Sequence, residues 1–233
     1  MDFLLAALAW LAAPIHWSGP DGIPTRVLEH LAYSLSGVGA AALVAIPLGL
    51  MLGHLGRGAF LAINIAGVGR ALPTFALLVI AFLLLARTAP PLAFGFWPTF
   101  LAMVPLALPP ILTNTYVGVR GVDRDVVEAA RGMGMSELGI VRAVEVPLGM
   151  PLILAGLRTA SIAVIATATL GALVAGGGIG RYIVDGLALQ EYERLFAGAF
   201  LVALLAIGTE LAFGLLERMS GHTSTVGRVP LRG

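Results

Sequence analysis

Long apolar runs separated by short polar breaks set the pattern of this chain. Five runs reach the roughly 20 residues that cross a bilayer: residues 31–53, 60–86, 96–119, 148–175 and 195–216. Arg70 and Pro73 interrupt the second run, which puts its first turns at the interface or kinks them. Pro105, Pro109 and Pro110 are expected to bend the third. A shorter run at 3–15 has no basic flank and no small-residue cleavage site before the polar 18–25 segment, so it does not read as a signal peptide. It reads as an interfacial helix with Trp10 and Trp17 near the headgroups, and a sixth span there stays open.

One polar, helix-forming stretch breaks the apolar pattern between the third and fourth long runs. Asp125-x-x-Glu128 has the form of a capping box that opens a short helix. Gly132 and Gly134 then allow a turn, Ser136 can cap a second helix running to Val146, and Pro147 stands where the next span begins. The expected product is a compact helix–turn–helix in water between two spans. Its Ala129, Ala130 and Gly134 leave room for a partner surface to approach, with Gly134 at a turn crowded by that partner.

Composition narrows the class. Hydrophobic residues make up 58% of the chain and charged residues 12%, against about half and about a quarter in soluble domains. A core for 233 residues does not need that much apolar surface, whereas a membrane does. Net charge is +1, so no basic field argues for nucleic acid. There is no Cys, which excludes disulfides, thiolate metal sites and a Cys nucleophile. The sequence offers no metal site and no catalytic residues.

All the basic residues are Arg, and their placement gives an orientation. With the Glu128 loop in the cytoplasm, that side holds Arg57, Arg70, Arg120, Arg124, Arg131, Arg142, Arg218, Arg228 and Arg232. The other side holds Arg26, Arg87, Arg181 and Arg194. An odd number of spans then puts the C-terminus in the cytoplasm. The chain reads as one transmembrane domain, 1–219, with a flexible cytoplasmic tail from 220 to 233.

The polar loop carries a resemblance. Glu128-Ala129-Ala130, three residues, Gly134, nine residues, Val144, one residue and Val146-Pro147 resemble the EAA loop of permease subunits from bacterial ATP-binding-cassette importers. Val144 stands where that family has Ile, and Val146 where it has Leu. The likeness extends from about residue 29 onward. Ala-Leu-Pro-Thr-Phe-Ala-Leu-Leu at 71–78, Asn-Thr-Tyr-Val-Gly-Val-Arg-Gly-Val-Asp at 114–123, Ile-Leu-Ala-Gly-Leu-Arg-Thr at 153–159 and Gly-Gly-Gly-Ile-Gly at 176–180 stand in the family's order. They look like the permeases of osmoprotectant importers, which carry glycine betaine, choline or carnitine. Methionine importer permeases are the nearest confusable group.

The resemblance implies an all-α transmembrane protein of the type I importer permease fold. It has about five spans, an N-terminal interfacial helix and a cytoplasmic coupling loop at 123–147. It also implies partners: a cytoplasmic ATPase gripping Glu128, Ala129, Ala130, Gly134, Val144 and Pro147, a second permease copy or paralogue, and an extracytoplasmic binding protein. The chain would bind no cofactor itself and would not be an enzyme; the ATPase would hydrolyse ATP.

Further candidates are weaker. Gly176–Gly180 has no following Lys-Ser/Thr and no preceding strand, so it is not a phosphate loop. It reads as a tight turn outside the cell, with Gly177 a possible gate. Two small-residue stripes let helices approach closely in lipid. Gly37, Ala41, Ala45, Gly49 and Gly53 read as internal packing. Ala155, Thr159, Ala163, Thr167 and Gly171, with Thr169 beside them, are candidates to line a pathway, as is Tyr116. Arg158 and Glu210 are ionisable residues inside spans; they can pair or bond to backbone, and the structural role is preferred. A quaternary ammonium would favour aromatic faces such as Tyr33, Phe75, Tyr116 and Trp97, which otherwise serve packing.

Two other classes fit less well. An intramembrane protease could use Ser36, but His16, His30, His54 and His222 offer no base in a later span. An ion-coupled carrier would show more spans and inverted repeats.

Overall fold

The computed structural model describes residues 2–56 and 73–219, and all of its regular structure there is helical. The start of the second apolar run, with Arg57 and Arg70, and the tail beyond 219 lie outside the described residues. Helix α1 spans Asp2–Ala12, α2 Ile23–His54, α3 Thr74–Thr88 and α4 Phe96–Arg120. Two short helices follow, α5 at Arg124–Gly132 and α6 at Glu137–Ile140. A π-helical turn at Val141–Glu145 joins α6 to α7, Val146–Thr167, which tightens into a 3-10 segment at Ala168–Val174. Helices α8, Gly180–Leu189, and α9, Tyr192–Met219, complete the chain.

Among the described residues, four helical stretches are long and apolar enough to cross a membrane: Ile23–His54, Phe96–Arg120, Glu137–Val174 and Tyr192–Arg218. They match the first, third, fourth and fifth apolar runs, and α3 forms the described part of the second. Helix α1 has 11 residues, about 16 Å at 1.5 Å per residue, too short for a core about 30 Å thick. It lies against α9 and α8 instead. Trp10 stacks on His16 with ring centroids 3.8 Å apart and meets Tyr182 edge-on at 5.2 Å.

Small residues decide how the spans pack. A Cβ at Gly37 would come within 2.8 Å of the Cβ of Met103, one at Gly49 within 2.7 Å of that of Thr115, and one at Gly53 within 2.7 Å of that of Val119. The partner is always 66 residues further on, so α2 and α4 run parallel and in constant register. The first small-residue stripe is therefore internal packing, as expected.

Helix α7 crosses α4 in the opposite sense. Gly149 meets Gly118, Gly156 meets Pro110 and Asn114, and Gly171 meets Thr99. At Gly118 a Cβ would lie 2.9 Å from the carbonyl oxygen of Gly149, closer than packed carbon and oxygen tolerate. The core fills the space between α2, α4 and α7 with Ala41, Ala45, Met103, Ile111, Leu112, Ala160 and Val164. Helix α9 is apolar on all sides and little buried within the chain, which suits contact with lipid or another subunit. Its far end, near Met219, lies on the same side as α5 and α6, because Glu210 and Glu217 reach Arg158 on the antiparallel α7.

Candidate coupling element and outer turn

The polar stretch folds as the helix–turn–helix that its sequence implies, with two corrections. The first cap is Asp123, whose side chain accepts from the Asp125 N–H at 2.9 Å; the expected Asp125–Glu128 capping box is not the opening of the helix. Asp123 wins because α4 ends at Arg120 and only three residues separate the two helices, so the acceptor has to stand before the first turn. The second correction concerns α6. It does not stop before the span but continues into α7 through the π turn, where the Val146 N–H reaches the carbonyl of Val141. Pro147 offers no N–H, and its ring would crowd the carbonyl four residues back. Widening the preceding turn relieves both without breaking the helix.

Ser136 caps α6 as expected, accepting from the Gly139 N–H at 3.2 Å. Gly134 makes the turn with φ +85°, a left-handed conformation that costs an L side chain about 1–2 kcal/mol. Among the described residues, nothing lies within 4 Å of a Cβ placed there, so the space at the turn is open to a partner. The six loop residues named from the motif divide. Glu128, Ala129, Gly134 and Pro147 are exposed. Ala130 is buried in a small cluster with Val122, Val127 and Ile140, against which the half-buried Val144 packs. Ala130 thus holds the element together and does not make room for a partner.

Three exposed apolar side chains on this element escaped the sequence reading: Val126, Met133 (76% exposed) and Leu138 (58%). The signal was available, since each is a large hydrophobe in the most polar part of the chain. A fork of two hydrogen bonds, 2.7 and 2.8 Å, runs from Arg131 to Glu137 and braces α5 against α6. Bonding to Arg131 holds the Glu137 carboxyl below the usual carboxylate range.

At the opposite end of the spans lies the glycine-rich turn. The Gly177 N–H donates to the Tyr33 hydroxyl at 2.9 Å and the Gly178 N–H to Glu29 at 2.7 Å. Nearby, Nε2 of His30 donates to the Ile165 carbonyl at 2.9 Å. That carbonyl is one of those freed where α7 tightens into the 3-10 segment. The Tyr182 hydroxyl donates to the Asp21 carbonyl, and burial pushes its phenol up to about 12. This region is a packed turn tied to α2.

The candidate pathway residues are not gathered into one site. Thr159, Thr167 and Thr169 donate to carbonyls of their own helical segment, those of Ala155, Ala163 and Ala166. Tyr116 is buried near the coupling end of α4, while Gly177 lies at the other end. Arg158 and Glu210 do pair, with Nε of Arg158 2.7 Å from Glu210, and Glu217 stands 3.4 Å away. No group of three or more metal-ligating side chains occurs among the described residues.

Comparison with known proteins places this geometry. Residues 45–220 match the family model described as the binding-protein-dependent transport system inner membrane component. The chain belongs to that family. It is 39% identical to the choline transport system permease protein of Bacillus subtilis, over 83% of this chain and 86% of that protein. It is 38% identical to the glycine betaine/carnitine/choline transport system permease protein of the same organism, over 82% and 84%. Its fold matches a chain of a methionine transporter solved in inward-facing conformations, with a TM-score of 0.74 over 90% of this chain and 99% of that one, at 19% identity. The chain is thus a multi-pass inner membrane component of a transport system, with the type I importer permease fold.

Proposed function

We propose that this chain is the permease subunit of an ATP-driven importer for a quaternary-amine osmoprotectant such as glycine betaine, choline or carnitine. The observation that carries the solute class is the pair of relatives, 39% and 38% identical over most of both chains, whose names specify these solutes. The methionine transporter resembles this chain in fold at 19% identity, which carries no solute.

The coupling element at 123–147 supports the drive. Exposed Met133 and Leu138 flank the open turn at Gly134 and offer an apolar seat for a cytoplasmic ATPase. Because α6 and α7 form one helical run from Glu137 to Val174, a push on α6 reaches the span without a hinge. A second permease copy or paralogue completes the passage, and an extracytoplasmic binding protein delivers the solute. ATP is hydrolysed by the ATPase and not by this chain. The Arg asymmetry orients the coupling element and the C-terminus to the cytoplasm.

Uptake of radiolabelled glycine betaine, choline, carnitine and methionine, compared in cells expressing the full set of subunits, tests the reading. Uptake of at least one of the first three is expected. Uptake of methionine alone would remove the osmoprotectant assignment.

A further inference from the structure

A line of four side chains joins the interior of the membrane domain to the surface of the coupling element. Glu145, 1% exposed, stands in the π turn, and its Oε2 is 2.8 Å from Nδ1 of His54 at the end of α2. The other ring nitrogen, Nε2, is 3.1 Å from Oε2 of Glu137 in the first turn of α6. Glu137 in turn holds Arg131 of α5. His54 therefore touches both ends of the 137–145 segment, across 83 and 91 residues of sequence.

Of the two contacts, the one to Glu145 is a hydrogen bond, while Glu137 is also held by the fork from Arg131. Burial of Glu145 raises the cost of leaving it without a partner. Among the described residues, Arg120 and Arg124 lie beside Gly56, two residues beyond His54.

We propose that His54 is a positioning residue for energy coupling. Through its hydrogen bond to Glu145 and its contact with Glu137 it fastens the segment carrying both to the end of α2, so that movement of the coupling element reaches α2 and α7 together. This rests on the reading of 123–147 as the ATPase-coupling element. Loss of the ring uncouples α2 from that movement, while the docking face around Met133 and Leu138 is left in place.

The test uses the complete importer in proteoliposomes, with glycine betaine, choline and carnitine presented together as probes. It scores ATPase co-purification and the ratio of uptake to ATP hydrolysis. His54→Leu is expected to keep the ATPase bound but to lower the ratio about tenfold, the scale of one hydrogen bond. Glu145→Leu removes the same bond from the other side and is expected to match it, whereas Glu145→Gln keeps a hydrogen-bonding group opposite the ring and is expected to stay near the wild-type ratio. A wild-type ratio in His54→Leu overturns the proposal, as do equal ratios in Glu145→Leu and Glu145→Gln. If His54→Leu fails to insert, the two Glu145 variants decide alone. Gly134→Asp separates the two levels: normal association and normal coupling in that variant overturn the coupling-element reading itself.

Discussion

Arg158 on α7 donates through Nε to Glu210 on α9 at 2.7 Å, joining two spans that meet at the middle of the membrane domain. Each group is costly in a membrane without the other. The pair also explains how α9, which buries little of itself, keeps its register against α7.

Removing one member is therefore expected to be worse than removing both. Arg158→Met alone leaves two carboxylates, Glu210 and Glu217, facing each other without a cation. It is expected to cost about 2 kcal/mol. The Arg158→Met/Glu210→Met double variant is expected to recover most of that loss. Thermal unfolding of the purified protein in detergent, read as a double-mutant cycle, measures the difference. Equal losses in the single and double variants would remove the pair from the account.

The crossing of α4 and α7 depends on the absence of a side chain at Gly156, where a Cβ would lie 2.9 Å from the carbonyl oxygen of Pro110. Gly156→Val is expected to cost about 1–3 kcal/mol by forcing the helices apart. Gly208→Val, where nothing among the described residues lies within 4 Å, is expected to be tolerated on steric grounds. Yield and melting temperature of the two proteins provide the comparison, and equal behaviour would mean that α7 can move aside freely.

At Gly134 the constraint is φ, not space. Gly134→Asn is expected to retain function, because Asn tolerates the left-handed region. Gly134→Asp is expected to leave the spans inserted but to abolish ATPase association and transport, since it puts a charge where the partner must approach. Glu128→Ala, at an exposed position on α5, is expected to be milder. Co-purification with the ATPase and solute-stimulated hydrolysis rank the three. Retention of normal association by Gly134→Asp would count against the docking site.

Topology has a direct assay. The described helices put Ser136 and Gly186 at opposite ends of the spans. The chain has no native Cys, so single Cys residues introduced there can be probed with an impermeant thiol reagent on intact cells. Labelling at 186 and protection at 136 are expected. The reverse pattern would invert the orientation.

The sequence by itself determined what local pattern can determine. Apolar run length gave the spans, because a helix must cover a set thickness of hydrocarbon. The Ser136 cap and the turn at Gly134 were legible because capping and left-handed turns act within four residues. The close packing of the Gly37–Gly53 stripe followed from its own spacing. Tertiary structure decided the rest. Helix α6 runs on into α7 because the lost hydrogen bond at Pro147 is absorbed by a wider turn, a choice that propensity does not dictate. Ala130 is inside because Val122, Val127 and Ile140 close over it. Gly118, Gly149 and Gly156 read as ordinary glycines until α4 and α7 bring their backbones together. His54 and Glu145 lie 91 residues apart, and Arg158 and Glu210 lie 52 apart. Nothing local pairs them; the parallel register of α2 on α4 and the antiparallel packing of α7 bring each charge within reach of its partner.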